Sequence, residues 1–225
     1  MPRLADVFDR LTEALIAEDG GSAAVGIEPF ERLIGVLLEN ATDAARARLN
    51  LDALRDAGLL DPAALASADP AELADVLSHN RKTLPPRARA TLQRLARWYH
   101  DRGLADDPGQ ISTETLREEL TALKGIGPGT ADELLARGLG RAAFSVSRAA
   151  YRVLVRHGWI DVSCTYEDAR DLIEPLAPDD PNRLMQLSRG FEQIGARYCR
   201  VAAAKCDRCP LQPLLPEGGP IQPDG

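Results

Sequence analysis

Between residues 123 and 131 the chain reads Leu-Lys-Gly-Ile-Gly-Pro-Gly-Thr-Ala, which sets glycines at 125, 127 and 129 between two helical patterns. Glycine reaches positive φ without a Cβ clash and lets a backbone N–H approach a ligand closely. A helix opening just after such a turn turns unpaired N–H groups and the positive end of its dipole toward an anion. The spacing predicts that helix from Thr130 to about Gly138, with Gly125, Gly127, Gly129 and Thr130 as candidate phosphate contacts. The segment before it, Ser112 to Leu123, opens with a capping hydroxyl ahead of Glu114, Glu118 and Glu119 and carries Leu116, Leu120 and Leu123 at helical spacing. Helix–hairpin–helix is the local reading. The plainer alternative is a helix ended by Gly125 and an ordinary turn.

Gly140 breaks the second helix, and Phe144-Ser145-Val146-Ser147 leads into a third, where Val146, Ala150, Val153 and Leu154 share one face. Here the chain resembles the endonuclease III family of helix–hairpin–helix DNA glycosylases. Leu123–Ala131 stands where that family has L-P-G-V-G-x-K-T-A, and Val146–Val153 where it has V-D-T-H-x-x-R-V. Pro29–Asp43 is similar to its P-F-E-L-L-I-A-V-L-L-S-A-Q-A-T-D, one residue shorter, and Gly195–Cys199 with Cys206–Leu211 is similar to its iron–sulfur loop. The resemblance covers most of the chain and implies an all-α, two-lobed fold. A six-helix barrel domain would span 22–140, and a cysteine-bearing helical domain would combine 1–21 with 141–212. DNA would lie in the cleft between them. Residues 213–225 read as a disordered tail and Asp19–Ile27 as an exposed connection.

Two positions depart from the family's pattern. Its Schiff-base lysine falls on Gly129 and its aspartate on Ser147, so the catalytic residues implied by the resemblance are absent. Lyase chemistry needs an activated amine, and the chain's lysines are Lys82, Lys124 and Lys205. Lys124 replaces the hairpin proline and reads as a phosphate contact. A carboxylate beside the breaking N-glycosidic bond stabilises the positively charged sugar. Glu39, Asp43, Asp132 and Glu133 are the candidates to substitute for it, each also readable as a solvated helix residue. Serine at 147 still caps a helix as aspartate would. Asn40 stands where the family has a Gln that fills the gap left by an extruded base, and it reads equally as a polar residue ending the helix from Phe30 to Glu39. Arg148 completes the candidate DNA contacts. Two functions stay open: a monofunctional N-glycosylase with a non-standard acid, and a non-enzymatic protein that binds damaged or distorted double-stranded DNA.

Cys199, Cys206 and Cys209 give C-x6-C-x2-C, and the place of the family's fourth cysteine is Leu215. The resemblance implies a [4Fe–4S] cluster, normally held by four thiolates, with Cys164 as the remaining cysteine able to complete the shell. Free thiols and a zinc site of the same four cysteines are the alternatives.

The net charge of −7 opposes indiscriminate nucleic-acid binding. Basic residues cluster in 81–102, in 137–156 and around the cysteines, as a DNA-facing strip or as solvated helix faces. Tyr151, Trp159, Tyr166, Phe191 and Tyr198 read as core or interface residues rather than stacking platforms. No apolar run approaches a membrane span, and the expectation is a cytoplasmic, nucleoid-associated monomer.

Overall fold

A computed structural model describes residues 28–79, 82–104 and 110–221. The segments 1–21 and Asp19–Ile27, expected as a helix and a connection, lie outside the described residues. Contacts divide the chain into two compact units that meet in sequence between Arg141 and Ala142.

In the first unit proline and aspartate punctuate the helices. Pro29 opens α1 (Pro29–Ala41), and Asp43 caps α2 (Ala44–Asp56) by accepting from Arg46 N at 2.9 Å. Asp-Pro pairs start α3 (Pro62–Ser67) and α4 (Pro70–Val76), with Asp61 accepting from Ala64 N and Asp69 from Ala71 N, both at 2.8 Å. Proline at the first helical position gives up an N–H that had no partner there, and the carboxylate satisfies the next ones. A short antiparallel ribbon, β1 (Ser78–His79) with β2 (Lys82–Thr83), then leads to α5 (Pro86–Asp101). The ribbon is too short for a period-two pattern, so the sequence does not signal it. Phe30, Leu33, Ile34, Leu37 and Leu38 of α1 recur at helical spacing and are buried, together with Leu54, Leu65, Leu73, Leu92, Leu95, Leu116 and Leu120. Each such side chain contributes about 1.5–3 kcal/mol on burial.

Ser112 caps α6 (Thr113–Ala122) through Thr115 N at 3.1 Å. After the hairpin, α7 opens at Pro128, two residues earlier than Thr130, and runs to Glu133. Pro128 fits the first helical position and Gly127 serves as the cap, which draws Gly129 into the first turn. Residues Leu134–Gly138 continue the helix with π geometry. There the backbone presses on α1: a Cβ on Gly138 would lie 2.4 Å from Leu33 Cδ2, and Arg32 Nε donates to the Gly138 carbonyl at 3.0 Å.

The second unit contains α8 (Arg148–Arg156), α9 (Tyr166–Ile173) and α10 (Pro181–Arg197), with 3-10 turns at Glu174–Leu176, Cys206–Arg208 and Gln212–Leu214. Ser147 caps α8 through Ala150 N at 3.1 Å, and Thr165 with Asp168 forms a capping box on α9. Phe144 and Phe191 meet edge to face, centroids 6.0 Å apart, in a core with Val153, Leu154, Ile173 and Leu187. Tyr151, Trp159 and Tyr198 pack against it. Residues 213–221 of the segment expected as a disordered tail are described, and 222–225 lie outside the described residues. Leu211 and Leu214 are buried in this core, and Ile221 N donates to the Arg156 carbonyl at 2.9 Å, so residues 213–221 are packed chain. No helix among the described residues is long and apolar enough to cross a membrane.

Candidate nucleic-acid interface

The hairpin is seated on α5. Gly125 has φ of +101°, and a Cβ there would stand 2.3 Å from Thr91 Oγ1. Thr91 is itself held, donating to the Arg87 carbonyl at 3.0 Å and accepting from Arg94 Nη2 at 3.1 Å. Arg94 Nε donates to the Lys124 carbonyl at 2.9 Å, which clamps the turn from the other side. Ile126, 4% exposed, plugs the turn into the core. Gly127 has extended backbone, and a Cβ there would meet nothing within 4 Å. One glycine therefore serves packing, and another leaves the backbone open.

Beside the hairpin lies a cavity of about 550 Å³ between α1, α5 and the turn. Leu37, Leu84, Ala88 and Leu92 give it apolar walls, while Asn40, Thr91 and Thr130 supply polar groups. Its charged lining is wholly cationic: Arg87, Arg94 and Lys124. Arg87 and Lys124 are exposed, and their side chains have no hydrogen-bond or ion-pair partner among the described residues. Unpaired cations around a concave surface attract anions without first breaking an internal pair.

Of the candidates read from the sequence, Asn40, Lys124, Gly125 and Thr130 line this cavity, and Gly127 and Gly129 belong to the adjoining turn and helix start. Arg148 is an exposed first residue of α8 in the other unit. The sequence reading missed Thr91 as a site residue and placed Arg87 and Arg94 only within a basic stretch. Their spacing of four and three residues on one helix face is the signal that finds them. Much of the remaining basic charge is spent on local ties. Arg89 donates to the Leu84 carbonyl, Arg97 to the Ala66 carbonyl, Arg102 pairs with Glu119 and Arg152 donates to the Cys199 carbonyl.

The candidate substitute acids are all engaged. Glu39 pairs with Arg137, and Asp43 caps α2. Asp132, fully buried, pairs with Arg117 Nε at 2.7 Å. Glu133 accepts from Asn40 Nδ2 at 2.7 Å.

In the second unit Cys199, Cys206 and Cys209 line one small void of about 10 Å³ with Arg156, His157 and Leu215. Cys164 is not among its walls; its carbonyl accepts from the Tyr151 hydroxyl at 3.0 Å. Arg156, 5% exposed, donates to Cys199 Sγ at 3.4 Å and to the Arg200 and Val201 carbonyls, and its buried Nε has no partner. No carboxylate neutralises it among the described residues. Burial pushes the Cys209 thiol up, and it pushes the His157 imidazole down against the opposing hydrogen bond that its ring makes to the Leu214 carbonyl. No three His, Cys, Asp or Glu side chains among the described residues come close enough to hold a single metal ion. Cys199, Cys206 and Cys209 thus share one void with the Arg156 guanidinium, which touches Cys199 Sγ and is a cationic neighbour of the kind an anionic group would need.

A largely helical fold with a glycine hairpin docked beside a cationic cavity is a helix–hairpin–helix arrangement. No family model matches the chain. It is 25% identical over 185 residues to endonuclease III of Thermotoga maritima, covering 82% of this chain and 81% of that protein. It is 22% identical over 192 residues to a Methanocaldococcus jannaschii protein named "Putative DNA repair glycosylase", covering 81% and 83%. In fold it matches endonuclease III trapped as a covalent DNA intermediate, with a TM-score of 0.68, 22% identity and 96% and 95% of the two chains covered. A thermostable thymine-DNA glycosylase matches with a TM-score of 0.66, 19% identity and 93% and 94% covered. In sequence and in fold the chain is thus similar to endonuclease III-like helix–hairpin–helix DNA glycosylases.

Proposed function

We propose that this protein binds double-stranded DNA, damaged or distorted, through the hairpin and the cationic cavity of its first unit, without lyase chemistry. The observation that carries this reading is the pair of unpaired cations, Arg87 and Lys124, beside the hairpin of a chain whose net charge is −7. Phosphate neutralisation supplies most non-specific affinity, so an acidic protein that concentrates free cations in one concavity binds there and is repelled elsewhere. Gly129 and Ser147 offer neither amine nor carboxylate at the places where the superfamily resemblance puts them. The four neighbouring acids are engaged in a cap, ion pairs or the amide of Asn40.

Fluorescence anisotropy on a labelled duplex tests the binding. Arg87→Ala with Lys124→Ala should weaken it at least roughly tenfold and make the salt dependence shallower by about two phosphate contacts. Unchanged affinity in that variant refutes the assignment. Borohydride trapping on abasic DNA should give no adduct, and single-turnover incubation with damaged duplexes no product. An adduct or a cleaved base refutes the non-catalytic half.

The cysteine void supports a second, structural element of the reading. Cys199, Cys206 and Cys209 would hold an iron–sulfur cluster by three thiolates, with Arg156 as counter-charge and Leu215 leaving one corner without a protein ligand. Bound there, the cluster supplies cross-links between the end of α10 and the 206–209 turn. Iron and acid-labile sulfide measured on anaerobically purified protein test it, and their absence after reconstitution overturns it.

A further inference from the structure

We infer that the cavity beside the hairpin takes the terminal nucleotide of a broken DNA strand, with its phosphate monoester on Arg87 and Lys124. The inference rests on the DNA-binding reading above and narrows it from duplex in general to a strand end.

Charge is the first argument. Three cations line one cavity with no carboxylate among the lining side chains, and two of the three have no partner among the described residues. A backbone diester carries a single negative charge, whereas a phosphate monoester carries about −1.5 to −2 near neutral pH. Cations converging on one concavity match the monoester better than a passing diester. Arg94 is committed to Thr91 and the Lys124 carbonyl, so Arg87 and Lys124 are the groups left to meet it.

Shape is the second. Leu37, Leu84 and Leu92, each 8% exposed or less, form a fixed apolar floor beneath the cations, so the concavity is preformed rather than made by an arriving backbone. A volume of about 550 Å³ lies in the range of small-ligand sites and admits one nucleotide, sugar and base against the leucines and phosphate at the cationic side.

The third argument concerns how a nucleotide gets there. Extruding a paired base costs unstacking and unpairing energy, lowest for a base that is already free. Asn40, which stands where the resemblance places a gap-filling side chain, lines the cavity and has its amide nitrogen held by Glu133 at 2.7 Å. Projecting Asn40 into a duplex breaks that bond and leaves a carboxylate beside the phosphates. A terminal nucleotide at a nick or gap has lost one covalent neighbour and enters without a wedge.

Whether the monoester sits at a 5′ or a 3′ end is a difference of source, not of chemistry. Anisotropy with the full chain would compare an intact duplex, a one-nucleotide gap with hydroxyls on both sides, the same gap with a 5′ phosphate, and the same gap with a 3′ phosphate. One phosphate arm should bind roughly tenfold tighter than the hydroxyl gap. That preference should fade below pH of about 6, where the monoester loses its second charge. Arg87→Gln with Lys124→Gln should abolish the preference while circular dichroism stays unchanged, and Arg189→Gln, an exposed arginine of the other unit, should retain it. Equal binding of phosphate and hydroxyl gaps overturns the inference and leaves DNA binding standing. Tighter binding to an intact abasic duplex than to any gap overturns it in favour of extrusion. Failure to bind any duplex removes the DNA-binding reading itself.

Discussion

Gly125→Ala is the substitution that most directly tests how the hairpin is built. Two costs add at this position. The backbone at φ of +101° is open to glycine and strained for an L side chain, at about 1–3 kcal/mol. The new Cβ also lands 2.3 Å from Thr91 Oγ1, and overpacking of that kind costs about 1–3 kcal/mol. Thr91 cannot rotate away freely, because its hydroxyl ties the Arg87 carbonyl to Arg94. The sum is about 2–5 kcal/mol, to be read from the midpoint of urea unfolding at constant slope. Thr91→Ala removes the colliding oxygen, so the Gly125→Ala, Thr91→Ala pair should be more stable than the two single losses add up to, by about 1–3 kcal/mol. A single-variant cost below about 1 kcal/mol, or a coupling within about 0.5 kcal/mol of zero, refutes the account. Gly127→Ala is the contrasting control. Its Cβ enters open space, so stability should change by no more than about 0.5–1 kcal/mol while DNA affinity falls because the methyl covers the backbone a phosphate would approach.

Further outcomes follow from the caps, the buried pair and the acid limb. Ser147→Ala removes the acceptor for Ala150 N and should cost about 1 kcal/mol, with Ser147→Asp close to neutral; equal losses in thermal melts would show that capping is not what the serine supplies. Asp132→Asn removes the buried one of the two carboxylates paired with Arg117, which is 7% exposed and keeps Glu114 on its other nitrogen, and should cost about 1.5–3 kcal/mol in urea unfolding, the size of a charged hydrogen bond. Glu119 is held below the usual carboxylate range, chiefly by its hydrogen bond from Arg102 and then by that from Trp98. Its folded-state pKa is depressed, so its contribution is full above the unfolded value of about 4.3 and is lost as pH falls through the folded one. Glu119→Gln should therefore flatten the fall in melting temperature on acidification below pH of about 4, and an unchanged acid limb counts against the pairing.

Helix starts were legible in the sequence because their signals are local. Asp43, Asp61, Asp69, Ser112, Ser147 and Thr165 all cap, and Pro29, Pro62 and Pro70 all open helices. The hairpin was legible as a turn, yet its register was not, since Pro128 competes with Thr130 as the helix start and wins by occupying the first position. What local pattern could not reveal was the fate of the acids. Glu39 meets Arg137 across 98 residues and Asn40 meets Glu133 across 93, and nothing in either segment announces the other. The tail misled for a related reason. Its proline and glycine content reads as loose chain, but Leu211 and Leu214 supply enough apolar surface to dock it on the second unit's core.

The division of labour among charges ties these observations together. Aspartates cap the helices, Asp132 and Glu39 are consumed in pairs, and most arginines on α5 and α8 reach carbonyls or Glu119. A carboxylate already serving as a cap or as the partner of a buried guanidinium cannot be withdrawn to assist bond cleavage without destabilising the unit that holds it. Arg87 and Lys124 stand outside this economy, since no described partner would be lost when an anion arrives. Around the hairpin the nearby carboxylates are thus engaged, while the side chains of Arg87 and Lys124 have no partner among the described residues. The proposed phosphate-holding role rests on that asymmetry, in a frame similar to that of endonuclease III with Gly129 and Ser147 at two of its places.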